Sequence, residues 1–145
     1  MLRGSTSAAV LLLVLLSACM MRKSSVWVEQ GSTPQRVVFG VAEERGGADP
    51  VAHLNYVAVR SCYESGKSQE TFWQARGEVP NGHRPPTRIV YGEPPTGFVN
   101  EANPRPLPPG CYEGIISGNG ISGTARFSVT ADGRVVEDAP SRTTG

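Results

Sequence analysis

From Ser24 onward the apolar residues of this chain recur mainly at every second position. No stretch keeps the three-to-four-residue spacing of an amphipathic helix for more than two turns. A period of two puts successive side chains on opposite faces of an extended strand, so the chain must fold as sheets with a buried face. Ser24 to Glu29 (SSVWVE) alternates in this way, and Gln35 to Glu43 puts Val37, Phe39 and Val41 on one face. Val51 to Tyr63 is the longest strand candidate, and its alternation is imperfect. Leu54, Tyr56 and Ala58 share one phase, while Val57 and Val59 take the other. A bulge, or a central strand covered on both faces, produces such a pattern. Glu70 to Arg76 places Trp73 and Ala75 in phase, and Arg88 to Gly92 is short and lies between proline-rich segments. Cys111 to Ser117 and Ile121 to Val129 flank Gly118-Asn119-Gly120. Asn-Gly favours a type I′ turn, so these two strands are expected to pair directly. Asp132-Gly133 is a further turn signal before Arg134 to Glu137.

The 17 glycines and 12 prolines suit short strands joined by tight turns. Seven or eight strands over residues 24–138 predict an all-β fold, a two-sheet antiparallel β-sandwich that resembles the immunoglobulin-like class. The polar tail, 139–145, is expected to be disordered. Lettering the strands A, B, C, C′, E, F and G puts Cys62 at the end of C and Cys111 at the start of F. In an immunoglobulin-like order C and F are antiparallel neighbours, so the two cysteines would meet at one rim of a sheet. The usual immunoglobulin bridge instead joins B and F between sheets.

The amino-terminal residues carry an address. Arg3 gives a short positive region, Ala8 to Leu16 is an unbroken run of nine apolar residues, and Ser17, Ala18 and Cys19 follow at once. A membrane-spanning helix needs roughly 18–20 apolar residues, so the run reads as a secretory signal. Cleavage after Ala18 by an ordinary signal peptidase would require a small residue where Leu16 stands. Leu16-Ser17-Ala18-Cys19 instead resembles the lipobox of bacterial lipoproteins. That resemblance implies removal of residues 1–18, a diacylglycerol on the Cys19 thiol and acylation, such as palmitate, of the new amino terminus. Residues 19–23 then form a short lipidated tether. Met20 stands where aspartate would favour the inner membrane, which implies the periplasmic face of the outer membrane. Two or three acyl chains hold firmly where one binds only marginally.

The lipoprotein reading sets the remaining accounts. Arg3 is the only charged residue before Cys19, so 13 of the 14 Lys+Arg remain against 13 Asp+Glu and the mature chain is neutral. No basic block points to nucleic acid. Of three cysteines, lipidation of Cys19 leaves Cys62 and Cys111, in a compartment where disulfides persist, and the two are expected to pair. The competing use is a metal site with His53 and His83, but those spacings contain no close ligand pair of the zinc type.

Leu107-Pro108-Pro109-Gly110-Cys111-Tyr112 resembles the L-x-P-G-x-Y entry to a late strand in carboxypeptidase-regulatory and transthyretin-like sandwich domains. It implies a buried Tyr112 whose hydroxyl needs a partner, such as upstream backbone in a tyrosine corner. Pro104 to Pro109 is also similar to a polyproline ligand of Src-homology-3 domains, although the compartment favours a stiff lead-in to strand F.

No catalytic or cofactor-binding constellation is expected. His53 sits within a strand, His83 lies in a loop expected to be exposed, and Glu43 and Glu44 are adjacent strand residues pointing to opposite faces. Arg84, Arg88 and Arg105 with Tyr91 and Phe98 are the candidate recognition surface, stiffened by nearby prolines. The expected role is a non-enzymatic interaction module, tethered near the membrane and contacting another envelope protein or a ligand. The alternative is a lipoprotein that binds a small molecule, glycan or metal.

Overall fold

A computed structural model describes residues 24–43, 52–79 and 82–138. The expected signal (1–18), the expected tether (19–23) with Cys19, Glu44, Val51 and the tail 139–145 lie outside these residues. Among these residues nine strands follow in order: β1 (Ser24–Val28), β2 (Val38–Glu43), β3 (His53–Ser61), β4 (Thr71–Gly77), β5 (Arg88–Val90), β6 (Phe98–Ala102), β7 (Gly110–Asn119), β8 (Ile121–Val129) and β9 (Val135–Glu137). They form two antiparallel sheets, a three-stranded one in the order β1-β2-β5 and a six-stranded one in the order β6-β4-β3-β7-β8-β9. The fold is therefore an all-β two-sheet sandwich, with strands C and F (β3 and β7) adjacent and antiparallel as expected.

Nine strands stand where seven or eight were expected, because β6 gives no apolar alternation. Its Val99 is exposed, and its Asn100 accepts a hydrogen bond from the buried Trp73 indole at 2.9 Å. As an edge strand β6 buries only Phe98 fully, so its pattern is too weak to read from sequence.

The phase change inside β3 is a bulge. Its register against β7 shifts between Leu54 and Tyr56, which turns Leu54, Val57 and Val59 onto the same core face. β3 is central in its sheet, flanked by β4 and β7, but its outer face carries the half-buried Tyr56 and Arg60, so the bulge accounts for the irregular pattern. The β7–β8 hairpin turns through Asn119-Gly120, with Gly118 opposite Ile121 and Gly120 at φ +74°. That left-handed conformation carries no steric penalty only at glycine.

The core is the meeting of the two inner faces. Val37, Phe39, Val41, Ile89 and Tyr91 come from the small-sheet side, and Leu54, Val57, Val59, Trp73, Tyr112, Ile116 and Phe127 from the large sheet. Phe39 meets Phe127 edge-on at 5.8 Å. The contact depends on Gly114, where a Cβ would stand 2.4 Å from the Phe39 ring. Along one side β1 approaches β8 over Gly123, and the Glu137 carboxylate accepts a hydrogen bond from the Val28 amide at 2.9 Å.

At the far rim Cys62 and Cys111 form a disulfide with Cα atoms 5.3 Å apart, and the Cys62 amide donates to the Cys111 carbonyl at 3.0 Å. The bridge extends the β3–β7 pairing by one step, within one sheet. Next to it the Tyr112 hydroxyl donates to the Pro108 carbonyl, and the Tyr112 ring stacks on Phe127 and meets Phe72 edge-on. Leu107 is buried just upstream, so Pro104 to Pro109 acts as a rigid lead-in to β7.

Candidate functional site

Glycines and prolines shape the β5–β6 corner. Pro85-Pro86 and Pro94-Pro95 bracket β5 and remove backbone donors on both sides, which keeps this edge strand to three residues. Two tight turns follow, closed by Glu93 N–H to the Val90 carbonyl at 3.0 Å and by Phe98 N–H to the Pro95 carbonyl at 2.9 Å. Gly92 and Gly97 each take φ +81° at the third turn position, the glycine place of a type II turn.

Two open clefts flank this corner. One, of about 350 Å³, is lined by Arg84, Pro86, Arg88, Glu93, Pro94 and Phe98 among others. The other, of about 390 Å³, is lined by Pro34, Tyr91, Glu93, Pro104, Arg105 and Leu107 among others. Glu93 borders both. The five residues grouped from sequence are thus divided between two neighbouring clefts: Arg84, Arg88 and Phe98 in the first, Tyr91 and Arg105 in the second.

They also differ in accessibility. Tyr91 and Phe98 are each only 7% exposed and belong to the core, so they wall the clefts from within and do not project from the surface. Strand phase explains Tyr91: it shares the inner face with Ile89 and meets Trp73 edge-on at 5.7 Å. Its hydroxyl donates to the Arg105 carbonyl at 2.6 Å and accepts from the Arg105 amide at 3.2 Å, tying the proline-rich lead-in to β5. Burial raises the Tyr91 hydroxyl pKa above its ordinary value and keeps it a donor.

The three arginines are exposed. Arg88 makes a forked contact with the Glu29 carboxylate, at 2.7 Å at the closest. Arg105 reaches Glu70 at 2.9 Å and the Thr71 carbonyl at 2.8 Å, with its guanidinium 4.6 Å from the Phe72 ring centre. No hydrogen bond or ion pair engages the Arg84 side chain among the described residues.

His83 departs from expectation. It is half-buried rather than exposed, with its ring 5.2 Å from Phe98 and filling the space above Gly77 and Gly97. A Cβ at Gly97 would stand 2.1 Å from the imidazole, so two side-chain-free positions make the notch. His53 lies opposite Asn119 on β3, also half-buried. Among the described residues no three His, Cys, Asp or Glu side chains gather as a metal site would require.

Strand phase alone did not reveal a polar lattice on the outer face of the large sheet. Arg60 donates to the Tyr56 hydroxyl at 2.6 Å, and that hydroxyl donates to Gln74 at 3.0 Å. Gln74 and Arg76 both reach Glu101, the latter at 2.6 Å. The Arg60 and Arg76 guanidinia lie 5.9 and 5.4 Å from the Tyr56 ring centre. The sequence shows Tyr56, Ala58 and Arg60 in one phase, but only cross-strand register brings Gln74, Arg76 and Glu101 beside them.

No family model, no curated protein and no solved structure matches this chain.

Proposed function

We propose that this chain is a lipid-anchored cell-envelope protein whose sandwich acts as a non-catalytic interaction module. Cys19 would hold it by acyl chains to the periplasmic face of the outer membrane. The observation that supports the module reading best is the pair of proline-walled clefts beside β5, with Arg84 at the margin of one and Arg105 at the margin of the other. Proline walls lose little conformational freedom on binding, and exposed guanidinium groups recognise carboxylates in a planar, forked manner. An extended, acidic segment of another envelope protein suits both features.

The test is crosslinking and pull-down from membranes, comparing the wild-type chain with an Arg84→Ala/Arg105→Ala variant. The reading expects at least one partner recovered with the wild type and lost with the variant. Equal recovery of every partner by both would overturn it.

A second reading, binding of a small molecule or glycan, is favoured by the cleft volumes, which fall in the usual range of ligand sites. It expects saturable binding of the compound by the isolated chain, with no protein partner.

A further inference from the structure

We infer that the outer face of the three-stranded sheet, centred on Trp27, rests on the lipid headgroup surface to which Cys19 ties the chain. This inference builds on the lipoprotein reading above.

Chain length brings the face to the membrane. Only Met20 to Lys23 separate Cys19 from Ser24, where β1 begins. An extended chain spans at most about 3.6 Å per residue, so β1 starts within roughly 18 Å of the anchor. The β1 edge of the small sheet, with Gly123 of β8 beside it, is therefore held near the bilayer, and the side chains on the outer face of β1 decide what meets the lipid.

Trp27 gives that face its chemistry. Val26 and Val28 turn toward the core, and Trp27 points the other way, 39% exposed. Its indole lies across Gly40, its direct partner on β2, where a Cβ would stand 2.1 Å from Cε2. The missing side chain lets the ring lie down on the sheet, with its remaining surface toward solvent. No hydrogen bond engages its Nε1–H among the described residues. An amphipathic ring with a free N–H partitions to the headgroup layer, where one end is apolar and the other wet.

Charge on the same face is compatible with lipid phosphate. Arg88 is the other cross-strand partner of Gly40, so Trp27, Gly40 and Arg88 form one row across the sheet. Arg88 neutralises Glu29, the carboxylate that continues the Trp27 phase past the end of β1. Arg22 and Lys23 of the tether add two positive charges next to the anchor. The opposite outer face, with its Tyr56–Arg60–Gln74–Glu101 lattice, is left toward water.

The chain carries its own probe. It has two tryptophans, and Trp73 is only 1% exposed, so Trp27 is the accessible one. The full lipidated protein is reconstituted into phosphatidylethanolamine–phosphatidylglycerol vesicles with brominated acyl chains, and a Trp27→Phe variant isolates the Trp27 emission by difference. Docking expects that emission to fall about twofold and shift to the blue, and its quenching by iodide to drop severalfold relative to a soluble Cys19→Ser chain. If the wild type sediments with vesicles but Trp27 is quenched by iodide as strongly as in the soluble chain, docking is overturned and the anchor stands. If the wild type stays in the supernatant as Cys19→Ser does, anchor and docking both fall. Shielding that needs added glycan strands, with no effect of brominated lipid, would overturn docking in favour of a glycan platform.

Discussion

The Tyr112 hydroxyl donates a hydrogen bond to the Pro108 carbonyl four residues upstream, which pins the proline-rich lead-in to the strand it enters. The ring is buried against Phe72 and Phe127, so the hydroxyl can be removed without changing the packing. Tyr112→Phe is therefore expected to lose about 1 kcal/mol, the net value of one hydrogen bond. The urea midpoint should fall with the slope of the transition unchanged. An unaltered midpoint would mean that the Pro-Pro-Gly segment holds its own shape and the corner bond contributes nothing.

The Cys62–Cys111 bridge closes a separation of 49 residues. In the chain-entropy model a loop of that length stabilises the fold by about 4 kcal/mol. The β3–β7 pairing persists without the bridge, because the Ser61–Tyr112 step and those before it are ordinary ladder contacts. A Cys62→Ala/Cys111→Ala chain should thus keep its β-sheet circular dichroism yet unfold at much lower denaturant. Equal midpoints for the oxidised chain and the double variant would contradict this.

Gly114 is the contact point between sheets. Gly114→Ala places a methyl group 2.4 Å from the present position of the Phe39 ring, so Phe39 must leave its edge-on contact with Phe127. Overpacking of this kind costs about 1–3 kcal/mol. Thermal unfolding should register that loss, and restoring space with Phe39→Leu in the same chain should recover part of it.

Burial raises the pKa of Tyr91 and of Tyr112 above the ordinary tyrosine value of 10.0. The folded chain thus holds these protons more tightly than the unfolded chain. The stability they contribute is complete below the unfolded value and is lost as pH rises through the higher folded values. Unfolding midpoints should be flat near pH 9 and decline above about pH 10. Tyr91→Phe should flatten part of that decline, and an unchanged decline in the variant would assign it to other groups.

Much of this architecture was legible in the residues. The alternation of Val37, Phe39 and Val41, the Asn119-Gly120 turn and the lead-in to Tyr112 depend on neighbours within a few positions, and each local preference points to the element that forms. Even the phase slip between Leu54 and Val57 showed in the sequence, because a one-residue bulge reverses the faces of everything after it. The placement of Cys62 beside Cys111 followed from strand order once the sandwich was assumed.

The surface was not legible in the same way. Tyr91 and Phe98 looked like recognition residues because aromatic, arginine and proline residues cluster along the chain there, yet their strand phase turns both inward. β6 stayed hidden because an edge strand needs little apolar surface, and its Asn100 faces a partner, Trp73, far away in sequence. The Tyr56 lattice and the Trp27–Gly40 pair exist only through cross-strand register. The sequence by itself determined where most of the strands run and where the chain turns, because those follow from period and turn chemistry. Only the tertiary structure decided which side chains meet. Contacts between strands depend on pairing across tens of residues, and a local pattern carries no record of that pairing.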